Sequence, residues 1–274
     1  MPDVLFEKRP DGVGLITLNR PESLNALGGD VLPLLGHYLE DCERDHDVRC
    51  VALTGAGRAF CAGGDVRAMQ TRNTSVASES GGANLMTVLN QLTDELRRSH
   101  NATSLRLHTM AKPTVALVNG HAVGAGFSLA LACDIRIASE NAKFGSAFRN
   151  VGLSGDYGGS YFLQRLVGMG RARELYFSAE VLDAQRALEM GIVNQVVPHE
   201  HLLAAGLAYC AKLASGPTAS YGRMKKNLDL GATGTLQEVL DQEALLMRIS
   251  SLSRDSREAV LAFLEKRDPN FAGE

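Results

Sequence analysis

Twice in this chain a short apolar run leads to a glycine- and alanine-rich turn that opens into a helix-like stretch. Val51-Ala52-Leu53-Thr54 precedes Phe60-Cys61-Ala62-Gly63-Gly64-Asp65, and Thr114-Val115-Ala116-Leu117-Val118 precedes Asn119-Gly120-His121-Ala122-Val123-Gly124-Ala125-Gly126. Short apolar runs of this kind read as buried strands, and glycine lets the backbone turn sharply onto the next helix. Recurrence of the strand, turn and helix unit predicts an α/β fold with parallel strands. The turns also leave free N–H groups at helix N-termini. Where two such turns converge, their amides can hold one developing negative oxygen between them.

The rest of the chain fits the same architecture. Residues 4–19 carry Asp11-Gly12 between two strand-like runs, which predicts a hairpin. Val31, Leu34, Leu35, Tyr38 and Leu39 fall at helical spacing within residues 30–44. Residues 71–82 are mostly Ser, Thr, Asn and Gly and read as a surface loop, after which residues 83–107 regain helical periodicity. The stretch from Phe127 to Cys133 is apolar nearly all round, as a helix buried on most sides would be. Ile135-Arg136-Ile137-Ala138 and Ile192-Val193-Asn194-Gln195-Val196-Val197 read as strands, and Asp183 as the N-cap of a helix over residues 184–190. From His201 onward the pattern is helical. The division expected is an α/β core over residues 1–200 and a helical region over 201–274.

With 274 residues, 45% hydrophobic and 22% charged, and a formal net charge of -3, the chain has the balance of a soluble globular protein with no bias toward nucleic acid. Its five cysteines are widely spaced without a C-x-x-C pair, which points to a reducing compartment. The first residues show neither a long apolar region nor a basic leader, so a cytoplasmic location without membrane insertion is expected. Seven histidines include no metal-ligand spacing, and no catalytic metal is expected. Gly55-Ala56-Gly57 lacks the third glycine of a dinucleotide fingerprint.

With their flanks, the turns resemble the enoyl-CoA hydratase/isomerase, or crotonase, superfamily. The likeness runs through Leu15-Ile16-Thr17-Leu18-Asn19-Arg20-Pro21, Asn25-Ala26-Leu27 and the stretch from Leu53 to Asp65. It resumes at Lys112-Pro113 and Asn119-Gly120, then at Cys133-Asp134, Phe144-Gly145 and the stretch from Ala262 to Arg267. The resemblance implies a spiral of ββα units with a C-terminal helical region that builds homotrimers or dimers of trimers. It also implies an acyl-CoA substrate, with coenzyme A arriving as part of that substrate and no tightly bound cofactor. It places the oxyanion hole at the N–H groups of Gly64 and Ala125. It makes Ala62 part of the coenzyme-binding wall, with Arg58, Arg67, Phe263 and Lys266 as further coenzyme contacts.

One part of the family pattern is broken. The two glutamates with which hydratases of this family handle water fall on Ser128 and Phe148, and neither side chain is a general base at neutral pH. Gly155-Asp156-Tyr157-Gly158-Gly159 resembles the stretch that carries an aspartate in dienoyl-CoA and ring-opening enoyl-CoA isomerases. Asp156 is thereby the expected base of a double-bond shift, provided that burial raises its pKa and that it is not tied up as a helix cap. Phe148 and Phe127 are the apolar neighbours expected to do this. His121, Ser128 and Tyr157 are secondary catalytic candidates. Hydration by an atypical site, or acyl-CoA binding without catalysis in an assembly subunit, are the alternatives.

Overall fold

A computed structural model of the chain describes residues 1–65, 70 and 85–274. Arg67 and the loop expected over 71–82 lie outside the described residues. Strands β1 (Val4–Lys8) and β2 (Val13–Leu18) form the antiparallel hairpin around Asp11-Gly12, and helix α1 (Val31–Arg44) follows. Parallel strands β3 (Cys50–Gly55) and β5 (Thr114–Val118) extend the sheet from β2. It then continues through β7 (Ile135–Ser139) to β10 (Gln195–Val197).

Both faces of this six-stranded sheet are covered, and the alternation of side chains shows how. Ile16, Leu18, Val51, Leu53, Ala116 and Val118 join one hydrophobic cluster, while Val13, Leu15, Cys50, Ala52, Val115 and Leu117 join the other. Near-continuous apolar strands are what a parallel sheet buried on two sides requires. The second cluster is closed by helix α8 (Leu202–Ala214) through Leu202, Cys210 and Ala214.

Four strands of two or three residues form a second sheet that the sequence reading did not separate. They are β4 (Ala59–Cys61), β6 (His121–Val123), β8 (Lys143–Gly145) and β9 (Leu182–Asp183). Strands this short carry too little alternation to stand out as a pattern. The pairs β3/β4, β5/β6 and β7/β8 each contribute one strand to each sheet before the next described helix, giving the repeated ββα architecture. Residues 192–193, expected to begin the last strand, are instead buried in the turn that returns from helix α7 (Ala184–Glu189) to β10, which starts at Gln195. Asp183 caps α7 as expected, its side chain accepting from Arg186 N–H at 2.8 Å.

Helix α2 (Leu85–His100) runs through a π-helical turn (Asn101–Leu105) into α3 (Arg106–Thr109). Helix α4 (Ala125–Ala132) is the central helix, and all eight of its residues are buried. Helices α5 (Gly159–Val167) and α6 (Met169–Ser178) pack beside it. Beyond α8 come α9 (Thr218–Gly231), α10 (Leu236–Ser251) and α11 (Arg254–Glu265). These last three leave many large apolar side chains in solvent, including Leu228, Leu236, Leu245, Phe263 and Leu264. No helix among the described residues is long and apolar enough to cross a membrane.

Candidate active site

The second sheet brings the two glycine-rich turns together. Strand β4 lies parallel to β6, pairing Ala59 with His121 and Cys61 with Ala122, so both chains leave the sheet at the same end and enter their turns side by side. Gly63 has φ +90°, and a methyl group built on it would stand 2.8 Å from Val123 carbonyl oxygen and 3.3 Å from Ala125 nitrogen. The backbone of the first turn thus rests directly on that of the second, an approach only glycine permits. Gly126 meets the Cys61 carbonyl as tightly, which locks α4 against β4.

Side-chain amides hold this arrangement from behind. Asn25 is fully buried; its Nδ2 donates to the carbonyls of Ala56 (2.9 Å) and Ala59 (2.7 Å), and its Oδ1 accepts from Arg20 N–H (2.8 Å). Asn119 donates to the carbonyls of Gly57 (2.8 Å) and Ala59 (3.1 Å). The first turn is also tied to the 24–27 segment by Leu27 N–H to Gly63 oxygen (2.7 Å) and Ala62 N–H to Leu24 oxygen (3.0 Å). Arg20 stands 3.6 Å from Asp65. In the second turn, Gly124 N–H donates to Gly145 oxygen at 2.9 Å. Ala125 is the first residue of α4, so its N–H has no acceptor within the helix. Among the described residues neither Gly64 N–H nor Ala125 N–H donates to a protein acceptor. Both remain available to a ligand oxygen.

A carboxyl group stands beside this turn. Asp156 lies on the loop before α5, whose N-cap is Gly158 with no side-chain capping bond, so the aspartate is not engaged as a helix cap. Its Oδ1 is buried without a hydrogen-bond partner, and burial pushes its pKa up to about 6. Desolvation is the cause, because the charged form gives up water and gains no cation. The ring of Phe148 spans the gap between the turn and this loop: its Cε1 lies 3.9 Å from where a Cβ on Gly124 would be, and its Cδ2 3.5 Å from the same point on Gly155. Phe148 is thus the apolar wall expected from the sequence. The ring of Phe127 packs on Phe144, with centroids 5.9 Å apart.

The secondary candidates separate. Ser128 is buried one turn into α4 and donates to Gly124 oxygen at 3.3 Å, beside the second turn. Tyr157 is buried with φ +49°, and this conformation is secured from α2: its Oη is 3.0 Å from Ser99 Oγ, and its N–H donates to His100 Nε2 at 3.3 Å. Burial lowers the pKa of His100, which suits a neutral ring accepting that bond. Tyr157 therefore fixes the backbone next to Asp156. His121 is exposed on β6, opposite Lys143 in register, and no hydrogen bond or ring contact joins it to Asp156. Arg58, Phe263 and Lys266 are exposed, the last as the left-handed residue that ends α11, and Ala62 is half-buried at the first turn.

Two residues of this neighbourhood escaped the sequence reading. His100 falls at the C-terminal end of a helical pattern that marks it as nothing special. Tyr176 sits on α6, stacks on Phe148 with centroids 6.1 Å apart, and has its pKa raised to about 12 by burial and then by the charge of Asp156. No local signal in the sequence ties α6 to the turns. Two clefts of about 650 and 400 Å³ open where α5 faces α9; the larger reaches His100 and Gly158, beside the Asp156 loop, and neither is lined by Gly64, Ala125 or Asp156. They adjoin the exposed apolar side chains of α9, and the carboxylates that line them, Asp134 and Asp229, are paired with Lys225 and His108.

Comparison with known proteins gives the family of the chain. The sequence profile of the enoyl-CoA hydratase/isomerase family matches residues 8–274. The 1,2-epoxyphenylacetyl-CoA isomerase of Escherichia coli is 40% identical over 273 residues, covering 100% of both chains. A short-chain-enoyl-CoA hydratase of Clostridium acetobutylicum is 35% identical over 97% of this chain and 95% of its own. Among solved structures, an enoyl-CoA hydratase from Polaromonas sp. superposes with a TM-score of 0.87 at 30% identity, covering 98% of this chain and 99% of that one.

Proposed function

Because this chain belongs to the enoyl-CoA hydratase/isomerase family, we propose that it shifts a carbon–carbon double bond in an enoyl- or dienoyl-CoA, with Asp156 as the base and Gly64 and Ala125 as the oxyanion hole. The observation that carries the proposal is the Asp156 carboxyl: buried, unpartnered at Oδ1 and raised to about 6, beside a turn whose leading amide is unused. As a carboxylate, Asp156 takes a proton from the α or γ carbon of the acyl chain. The thioester oxygen gains the negative charge and is stabilised by the two N–H donors, each worth on the order of 3 kcal/mol at the transition state. The protonated Asp156 then returns the proton to the other carbon of the conjugated system. The double bond has moved, water is neither consumed nor released, and the carboxylate is restored.

Isomerisation is favoured over hydration because Ser128 and Phe148 stand where the family's hydratases carry glutamates, and a single carboxyl suffices to shuttle one proton. The isomerase named among the relatives, 40% identical, supports the same choice. A hydratase of atypical site has the name of the Clostridium acetobutylicum relative in its favour. The coenzyme contacts inferred for Arg58, Ala62, Arg67, Phe263 and Lys266 belong to this proposal. So does homotrimer formation through the C-terminal helices, for which the exposed Leu228, Leu236, Phe263 and Leu264 argue, since apolar surface of this extent is uncommon on a monomer. The test is turnover of 3-enoyl-, 2-enoyl- and 2,4-dienoyl-CoA by the protein and by Asp156→Asn. Isomerisation falling about 10²- to 10⁴-fold in the variant is expected. Hydration of 2-enoyl-CoA at full rate in Asp156→Asn would overturn the assignment of the base.

A further inference from the structure

Asp156 opens a turn that its own residues do not favour. Gly159 N–H donates to Asp156 oxygen at 3.2 Å, and the two residues between them have positive φ, +49° at Tyr157 and +80° at Gly158. Left-handed backbone at both central positions is the pattern of a type I′ turn, which glycine, asparagine and aspartate adopt readily and a bulky tyrosine does not. Asp156 is the first residue of that turn, so the direction of its carboxyl follows from the conformation at Tyr157. Backbone of this kind persists only where its surroundings over-determine it.

Two consecutive residues of α2 supply that constraint. Ser99 Oγ is 3.0 Å from Tyr157 Oη, and His100 Nε2 accepts from Tyr157 N–H at 3.3 Å while its ring meets the tyrosine ring edge-on, with centroids 4.5 Å apart. The amide that His100 takes up is one the turn itself does not use, since the turn's own bond runs from Gly159 to Asp156. The π-helical turn Asn101–Leu105 follows directly, and interruptions of this kind often accompany functional positions. We propose that His100 is a positioning residue for the double-bond shift, acting through Tyr157 N–H, with Ser99 beside it, to hold the turn that aims Asp156. The inference rests on the reading of Asp156 as the base. The acceptor has to be the bare Nε2 of a neutral ring, so an amide oxygen at the same reach can replace it and a hydrocarbon ring cannot.

The test uses His100→Phe, which keeps a ring and deletes the acceptor, His100→Gln, whose amide oxygen restores it, and Ser99→Ala. Isomerisation of 3-enoyl-CoA is resolved into kcat and KM, and the Asp156 carboxyl carbon is titrated by NMR, its signal assigned with Asp156→Asn. In His100→Phe, kcat should fall about 10- to 10²-fold with little change in KM, because the oxyanion turns are untouched. The Asp156 midpoint should move from about 6 toward the usual aspartate value of about 4 as the loosened turn admits water. His100→Gln should recover most of both, and Ser99→Ala should shift both in the same direction by less. If His100→Phe does not fold, Ser99→Ala carries the comparison. A midpoint that stays put in the folded variants lacking the acceptor or the Ser99 hydroxyl, or a His100→Gln as impaired as His100→Phe, would overturn the proposal. The titration reads the turn whether or not Asp156 is the base. A midpoint that moves, with Asp156→Asn still active, defeats the base and spares the positioning of its carboxyl; an unmoved midpoint, with Asp156→Asn inactive, does the reverse.

Discussion

Replacing Asp156 by asparagine should stabilise the protein while removing its catalysis. Asparagine has nearly the same shape and no charge to desolvate. Raising an aspartate to about 6 corresponds to roughly 3 kcal/mol against the charged form in the folded state, and partial access of water to the site reduces the expected effect to about 1–2 kcal/mol. The sign follows from linkage. A carboxyl whose folded pKa exceeds its unfolded value binds its proton more tightly when folded, so the penalty is absent below about pH 4, grows between pH 4 and 6, and is complete above that. The asparagine variant escapes it at every pH. Thermal and urea unfolding at pH 4.5 and pH 7.5 should therefore show a gain for Asp156→Asn at the higher pH only, worth a few degrees in Tm for a chain of this size. A variant less stable than the parent at pH 7.5, or one stabilised equally at both pH values, would refute the claim that an uncompensated buried charge sits at this position.

Other consequences follow from the same geometry. The pH profile of kcat/KM for isomerisation should rise with pH and level off above about 6, because the base acts as a carboxylate; a profile flat from pH 5 to 8 would contradict it. Ala125→Pro deletes the proposed donor at the first helical position, which tolerates proline, so kcat should drop by about 10²- to 10³-fold with thermal unfolding close to the parent. Ala125→Gly, which keeps the N–H, should be active. Gly63→Ala forces a side chain at φ +90° against the Val123 carbonyl and should cost about 1–3 kcal/mol in urea unfolding, with activity lost as the turns part. Asn25→Ala leaves Arg20 N–H and the Ala56 carbonyl without their partner and should cost on the order of 2 kcal/mol, read as a lower urea midpoint.

The elements long enough to show a period could be read from the residues. The Val13–Leu18, Cys50–Gly55 and Thr114–Val118 strands are apolar on both faces, as a sheet covered on two sides demands, and α4 is apolar all round because all its residues are buried. Asp156 was legible as a carboxyl in a glycine-rich loop. Its burial was not, since that depends on Phe148 and its neighbours in space, and its freedom from capping depends on where α5 begins. Asn25 and Asn119 could be named as residues of the motif, but their joint hold on the Ala59 carbonyl appears only when segments far apart in sequence meet.

What the sequence determined by itself was local: which runs are strands, which glycines allow a turn, and which residue types can exchange a proton. Tertiary structure decided the rest. The parallel pairing of two three-residue strands, Ala59–Cys61 and His121–Val123, brings the two turns into contact, and the packing of α6 carries Tyr176 to Asp156 and Ser128. Three residues hold too few periods to announce a strand, and a contact between helices leaves no trace in the spacing of either one. A site assembled from such contacts exists only in the folded chain.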